Sequence, residues 1–209
     1  KTLINLDLSD NKFRKKRGAL YNLASVPLKI KNQKSWPTLT TLNISSNRFD
    51  REDIIHFFTS LSGPAGCFSR VPSINVSMIQ LGRWSTVTKA IVNVLSSNSC
   101  AIESLSMRSV SLGLVSDNMW IEFSESLGHN ESITWLDLSH NQISSESTIV
   151  LGNNLLMNHT LLDFYYRHGN CGRVDNMGFL LPSCIMATSA LNDESHGKYE
   201  TPDEEVQKR

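Results

Sequence analysis

A short pattern of apolar and polar positions returns six times along the chain. Its clearest copies read LINLDLSDNKF from Leu3, LTTLNISSNRF from Leu39 and ITWLDLSHNQI from Ile133. Each has an apolar residue at the first, fourth and sixth positions, Asn at the ninth and another apolar residue at the eleventh. Weaker copies begin at Val71, Ile102 and Leu161. A motif that returns about every 30 residues predicts a repeat protein.

Each unit is predicted to contain one strand and one helix. The alternation inside the motif is typical of a strand with one buried face. The following stretch changes to helical spacing, as in Ile54, Ile55, Phe58 and Leu61. Such a unit cannot bury its apolar face alone, so the units must stack. We therefore predict an α/β solenoid of six repeats, with a curved parallel sheet on the concave face and helices on the convex face. The expected helix N-caps are Asp50, Asp117, and Ser144 or Ser145.

The Asn at the ninth position is expected to turn the chain and to satisfy backbone groups of neighbouring units. Asn11, Asn47 and Asn141 fit this role. The third and fourth units have Ile79 and Val110 there, and the sixth has a glycine. The ladder of asparagines is thus predicted to be interrupted in these three units.

The motif and the long helical segments resemble the ribonuclease-inhibitor-like subclass of leucine-rich repeats over residues 3–172. Within that class, the basic run in LDLSDNKFRKKRG from Leu6, followed by a long insertion and LNIS from Leu42, resembles the CARMIL family of actin-capping-protein regulators. The resemblance implies a cytoplasmic scaffold at the cell cortex that binds other proteins and that is often a homodimer.

The chain divides into three parts by composition. Residues 1–172 are predicted to form the repeat domain, and residues 173–187 a C-terminal cap or last helix. Residues 188–209 are polar and acidic, which is typical of a disordered tail. The apolar pattern starts directly at Lys1 and Thr2, so we expect a longer protein.

Charge and motifs exclude several function classes. Twenty basic and twenty acidic residues give no net charge, so nucleic-acid binding is not expected. The sequence has no phosphate-binding loop, hydrolase elbow or kinase motif, and no cofactor or enzymatic activity is expected. His168, Cys171 and Cys184 lack a suitably spaced fourth ligand for zinc, so no metal site is expected. The spacing of the four cysteines is not typical of a disulfide framework, and we expect them to be reduced thiols.

One segment departs strongly from neutrality. Residues 11–49 contain nine basic residues and no acidic one. Residues 14–35 of this segment are expected to form an insertion on the convex or edge side of the solenoid. The insertion is a candidate site for anionic membrane lipid, a nuclear-import receptor or an acidic protein surface. The alternative is a solvated loop that keeps the chain soluble. The candidate anion-binding residues are Arg14, Lys15, Lys16, Arg17, Lys29, Lys31 and Lys34.

The second candidate site lies on the predicted concave face. Strand residues between the buried positions point outward there, and the last three units supply large side chains. Exposed Trp, Tyr and Arg are the residue types that dominate binding hot spots. In the alternative interpretation, the arginines pair with the aspartates and Trp135 packs on Tyr165. The candidate partner-binding residues are Arg108, Trp135, Asp137, Asp163, Tyr165 and Arg167.

The sequence therefore predicts a non-catalytic protein-interaction scaffold, and the closer resemblance implies a regulator of actin assembly. Two alternatives stay open. One is a lipid-binding element that acts through the basic segment 14–34. The other is the sensor or autoinhibitory repeat region of an intracellular nucleotide-binding immune-type receptor.

Overall fold

The computed structural model describes most of the repeat region. The described residues are 3–11, 13, 18–24, 38–62, 66–97 and 101–166, together with the backbone of short strands at 169–170, 172–174 and 180–182. The basic segment residues 14–17 and 25–37, and the acidic tail, lie outside the described residues.

The six predicted units each contribute one short strand to a single parallel sheet, which confirms the predicted alternation. Consecutive strands pair in register, so that Leu6 lies beside Leu42, Leu42 beside Ile74, and Leu105 beside Leu136. The strands are β1 (Asn5–Asp7), β2 (Thr41–Asn43), β3 (Ser73–Asn75), β4 (Ser104–Ser106), β5 (Trp135–Asp137) and β6 (Asp163–Tyr166).

Helices follow four of the strands and pack side by side along the other face of the sheet. They are α1 (Arg51–Leu61), α2 (Ser85–Leu95), α3 (Asp117–Gly128) and α4 (Ser145–Leu155). Two 3₁₀ helices, η1 (Leu81–Arg83) and η2 (Leu112–Leu114), precede α2 and α3, and residues 19–24 are also helical. Within the described part of the chain, none of these helices has the length and apolar character needed to cross a membrane.

The helix N-termini follow the capping predictions with one exception. Asp50 accepts a hydrogen bond from the backbone N–H of Asp53, and Ser144 accepts one from Ser147. These two caps are confirmed. The prediction for Asp117 is wrong by one residue, because Ser116 is the N-cap and Asp117 is the first residue of α3.

The core lies between the sheet and the helices. The central residue of each strand points into it, and Leu42, Leu136 and Phe164 are fully buried. The flanking strand residues lie on the opposite, concave face and are half-buried or exposed. Leu6 is half-buried, and among the described strands β1 pairs with β2 alone.

Asparagine side chains join the repeats as predicted. The Asn47 amide nitrogen donates to the Leu8 carbonyl at 2.7 Å in the preceding unit, and its oxygen accepts from the Asn11 N–H at 2.9 Å. Asn141 likewise donates to Met107 at 2.8 Å. Both side chains are buried, so these bonds satisfy backbone groups that the turn leaves unpaired.

The ladder is interrupted at Ile79 and Val110, which are buried, as predicted. The structure shows what replaces it. η1 and η2 each place a glycine against the next unit, and the Gly82 N–H donates to the Val110 carbonyl at 2.9 Å. The Gly113 N–H donates to Asn141 in the same way, also at 2.9 Å. The repeats remain joined here by backbone contacts that require a residue without a side chain.

A second line of asparagines runs along the loops that lead into the strands. The Asn130 amide nitrogen donates to the Leu95 carbonyl at 2.8 Å, and Asn158 donates to Leu127 at 2.7 Å. Each amide oxygen also accepts backbone N–H groups of its own loop, such as that of Ile133 at 2.8 Å. Neighbouring units are thereby joined at both ends of the strands.

The described backbone after β6 does not continue the parallel order of the strands. After β6 the chain reverses, and β7 (Gly169–Asn170) pairs with β6 in the antiparallel direction. Gly169 therefore lies in an antiparallel strand, and Cys171 lies outside the described residues. Further along, β8 (Gly172–Val174) and β9 (Leu180–Pro182) form an antiparallel pair, so the described parts of residues 173–187 are strand and not helix. The C-terminal cap expected over residues 173–187 stays a prediction.

Candidate protein-binding surface

The concave face forms an open groove of about 510 Å³ that runs across the strands. Its floor is made of small polar side chains, and its walls are Asn5 and Asp7 at one end and Trp135 at the other. The floor residues are Thr41, Asn43, Ser73, Asn75, Ser104 and Ser106. Small side chains leave room for the side chains of a bound partner.

A repeated turn fixes the polar groups at the end of each strand. The side-chain oxygen of the last strand residue accepts the backbone N–H two residues later, in Asp7, Asn43, Asn75 and Asp137. The hydroxyl of Ser9 also donates to Asp7 at 2.6 Å. These bonds to Ser9, with a smaller contribution from Asn43, lower the pKa of Asp7. The carboxylate therefore stays ionised on the groove wall at neutral pH.

Some residues predicted to line the concave face are covered. Ser45, Ser77 and Ser139 follow the strand motif outward, yet all three are buried. The Ser77 hydroxyl lies 2.8 Å from that of Ser106 and accepts the Arg108 N–H at 3.2 Å. At the corresponding position of the first and fourth units, Ser9 is half-buried and Arg108 is exposed.

The large predicted side chains meet at the far end of the sheet. Trp135 and Tyr165 lie on adjacent strands with ring centroids 5.4 Å apart and planes tilted by 46°. Both are half-buried, Asp137 is half-buried and Asp163 is exposed. The structure therefore brings four of the six predicted partner-binding residues together, and it confirms the contact between Trp135 and Tyr165.

Arg108 does not pair with Asp137 as the alternative interpretation expected. Its guanidinium donates to Nε2 of His140 at 3.0 Å instead. Among the described residues, the ion pairs are Arg51 with Glu52 and Lys89 with Glu122, and both are solvent-exposed. The strand register explains why Arg108 does not contact Asp137. Asp137 lies beside Ser106, whereas Arg108 follows two residues after Ser106, next to the turn that contains His140.

Several predicted site residues lie outside the described residues. They are Arg167 on the concave face and the anion-binding candidates Arg14, Lys15, Lys16, Arg17, Lys29, Lys31 and Lys34. In the described part of the chain, no group of three or more His, Cys, Asp or Glu side chains is arranged to hold a metal ion.

Comparison with protein families identifies the repeats. Two leucine-rich-repeat family models match the chain, one over residues 38–61 and the other over residues 129–151. The fold is a leucine-rich-repeat solenoid. The matched segments contain β2 with α1, and β5 with the first part of α4. No significant match is found among curated proteins.

The repeat family also indicates a general type of function. Leucine-rich repeats generally mediate interactions between proteins, and domains built from them are typically non-catalytic binding modules. The groove and its aromatic end lie on the strand face of the solenoid, where all the described units contribute side chains to one surface.

Proposed function

We propose that the protein is a non-catalytic scaffold that binds a protein partner across the concave face of its leucine-rich-repeat solenoid. The observation that carries the proposal is the partly exposed Trp135 and Tyr165 pair at the end of a groove with a floor of small polar residues. Aromatic anchors beside a polar surface supply most of the binding energy in many interfaces.

The rigidity of this surface also supports the proposal. Strand register fixes the spacing of the groove residues, and the asparagine ladders fix the turns at both strand ends. A preorganised surface loses little conformational entropy when a partner binds. Affinity therefore does not depend on folding of the site during association.

We further propose that the partner belongs to the machinery that regulates actin assembly at the cell cortex. This step rests on the resemblance of the stretch from Leu6 to Ser45 to CARMIL proteins. We expect the tagged chain to co-localise with cortical actin filaments. Substitution of Trp135 and Tyr165 by alanine should abolish this co-localisation. A uniform distribution of the unsubstituted chain would contradict this part of the proposal.

The binding surface is tested by affinity capture from cell lysate with quantitative mass spectrometry. The test variant carries Trp135→Ala and Tyr165→Ala. The matched control carries Ile121→Ala and Ile149→Ala, because these apolar side chains are exposed on the convex helices α3 and α4. Circular dichroism checks that both variants fold. Loss of captured partners by the concave variant alone supports the proposal, and unchanged capture contradicts it.

A second capture variant separates the basic segment from the concave face. It carries Arg14→Ser, Lys15→Ser, Lys16→Ser and Arg17→Ser. Since the proposal assigns binding to the groove, this variant is expected to retain the partners that the concave variant loses. If it alone loses them, the basic segment is the binding element and the concave-face proposal is wrong.

A further inference from the structure

Two aromatic rings and two carboxylates alternate across strands β5 and β6. The register places Trp135 beside Asp163 and Asp137 beside Tyr165. In β5 the aromatic Trp135 is followed two residues later by Asp137, and in β6 Asp163 is followed two residues later by Tyr165. Residues two positions apart in a strand lie on the same face, so all four side chains share the concave face. We call these four residues the aromatic–carboxylate square. The pattern is formed by two adjacent units and is absent from any single repeat motif.

We propose that the aromatic–carboxylate square is a subsite for a lysine or arginine side chain of the protein partner. The inference rests on the proposed function and names the chemistry of one contact within it. A cation is attracted to the face of Trp and Tyr rings by their quadrupole, and adjacent carboxylates strengthen that attraction. The side chain's methylene groups would cover the apolar rings at the same time.

The charge balance of the square supports a cationic occupant. No described basic side chain forms an ion pair with Asp137 or Asp163. Arg108, the described basic residue that follows the neighbouring strand β4, donates to His140. Asp163 is exposed, and only one oxygen of Asp137 is engaged, by the Ser139 N–H at 2.8 Å. The square therefore presents two negative charges beside two aromatic rings.

The other end of the groove provides an internal comparison. Asp7 also lies on the concave face, but its neighbours in the strand pairing are small polar residues. Its carboxylate is already bound by the Ser9 N–H and hydroxyl. A carboxylate without aromatic neighbours lacks the second element of the site, so the inference assigns no cation subsite to Asp7.

The test variant replaces both carboxylates of the square by amides. Asp137→Asn is compatible with the fold, because Asn43 and Asn75 occupy the same position in their repeats and accept the equivalent N–H at 3.1 and 3.0 Å. Asp163→Asn changes an exposed side chain. The double variant therefore removes the charge while retaining the shape and the turn.

The binding experiment follows the indole N–H signal of Trp135 by nuclear magnetic resonance during titration. The probes are N-acetyl-arginine amide and N-acetyl-lysine amide, and the uncharged controls are N-acetyl-citrulline amide and N-acetyl-norleucine amide. A Trp135→Phe variant assigns the signal. We expect saturable shifts with the cationic probes only and a several-fold weaker response in the Asp137→Asn, Asp163→Asn variant. The control variant Glu125→Gln, which removes an exposed carboxylate from the convex helix α3, should leave the response unchanged.

Three results would overturn the inference. Equal shifts with citrulline and arginine would show that charge is not recognised. An unchanged response in the double amide variant would show that the carboxylates do not contribute. Binding that appears only after Arg167→Gln would show that the chain's own arginine occupies the square. Should any of these occur while Trp135→Ala with Tyr165→Ala still abolishes partner capture, the scaffold proposal stands and this inference alone fails.

Discussion

Gly113 lies so close to the next repeat that a Cβ atom on it would be 2.3 Å from the carbonyl oxygen of Gln142. Because that oxygen is part of the backbone, the clash cannot be relieved by a side-chain rotation. We expect Gly113→Ala to lower the free energy of unfolding by about 1 to 3 kcal/mol, the usual cost of overpacking. Chemical denaturation followed by circular dichroism measures this loss.

The control for this prediction is Leu114→Ala in the same 3₁₀ helix. Leu114 is exposed, so its removal should change the free energy of unfolding by no more than about 0.5 kcal/mol. If Gly113→Ala were as stable as Leu114→Ala, the close stacking of the fourth repeat on the fifth would be incorrect.

Asn141 is expected to be the more costly of the ladder positions to remove. Its side chain donates to the carbonyls of Met107 and Leu138 and accepts the N–H groups of Val110 and Leu112. Asn141→Ala would leave these buried groups without partners. We expect a loss of about 2 to 5 kcal/mol in the free energy of unfolding, since each buried unsatisfied group costs about 1 to 3 kcal/mol.

Asn11→Ala is the matched comparison, because Asn11 occupies the same motif position on the exposed edge of the sheet. Its amide nitrogen donates to the Ser9 carbonyl at 3.1 Å. The expected loss is below about 1 kcal/mol, because water can replace an exposed hydrogen bond. Equal losses for the two variants, measured by denaturation in parallel, would argue against a buried ladder.

These two residues show why the fold was predictable from sequence. The motif that contains Asn11 and Asn141 has a fixed spacing, and the spacing determines strand, turn and buried face together. Strand pairing then follows from stacking identical units. The motif does not predict the need for glycine at position 113. Glycine is required there because a backbone carbonyl of the neighbouring repeat lies close to it, and this contact leaves no periodic signal in the repeat that contains Gly113.

The candidate site was predictable only in part. The alternation placed Trp135 and Tyr165 on one face, because side-chain direction in a strand depends on local geometry alone. The alternation does not determine the position of the Arg108 guanidinium, because a long side chain beyond the end of a strand can contact any of several neighbours. The burial of Ser139 was also missed, because Ser139 follows the strand, next to the turn at the left-handed His140, with φ of 58°.

The stability of the chain should depend on the ionisation of Asp53. This carboxyl is buried and accepts the Gly18 N–H at 3.1 Å. Burial, together with the nearby charge of Asp50, raises its pKa above the ordinary 3.8. The folded chain thus holds the proton more tightly than the unfolded chain. The stabilisation from Asp53 is complete below pH 3.8 and is lost as the pH rises through the folded-state pKa.

Comparison with Asp53→Asn isolates this contribution, because the amide does not titrate. As the pH rises above about 4, the unsubstituted chain should lose stability relative to the Asp53→Asn variant, in a comparison of their free energies of unfolding. Asp50→Asn should make the slope smaller, since it removes a charge that raises the pKa of Asp53 while retaining an N-cap. A difference that is constant with pH would contradict the assignment.

Cys67 is expected to react slowly with thiol reagents in the folded chain. Its side chain is buried, and burial raises the pKa of the thiol above the ordinary 9.0, with Ser60 opposing the effect less strongly. Thiolate is the reactive form, so both exclusion of reagent and loss of thiolate slow the reaction. We expect N-ethylmaleimide to modify Cys67 in the native chain far more slowly than it modifies glutathione under the same conditions.

Peptide mapping by mass spectrometry after brief labelling measures this reaction. Labelling in guanidinium chloride is the control and should modify Cys67 at the rate of a free thiol, because unfolding removes both causes of protection. The Asn141→Ala variant tests how far the protection of Cys67 from labelling depends on the stacking of the repeats. Cys67 lies between the second and third strands, whereas Asn141 joins the fourth repeat to the fifth. If Asn141→Ala opens the later repeats alone, Cys67 stays protected. If all the repeats open cooperatively, the labelling of Cys67 becomes faster. Rapid labelling of Cys67 in the unsubstituted native chain would contradict its burial.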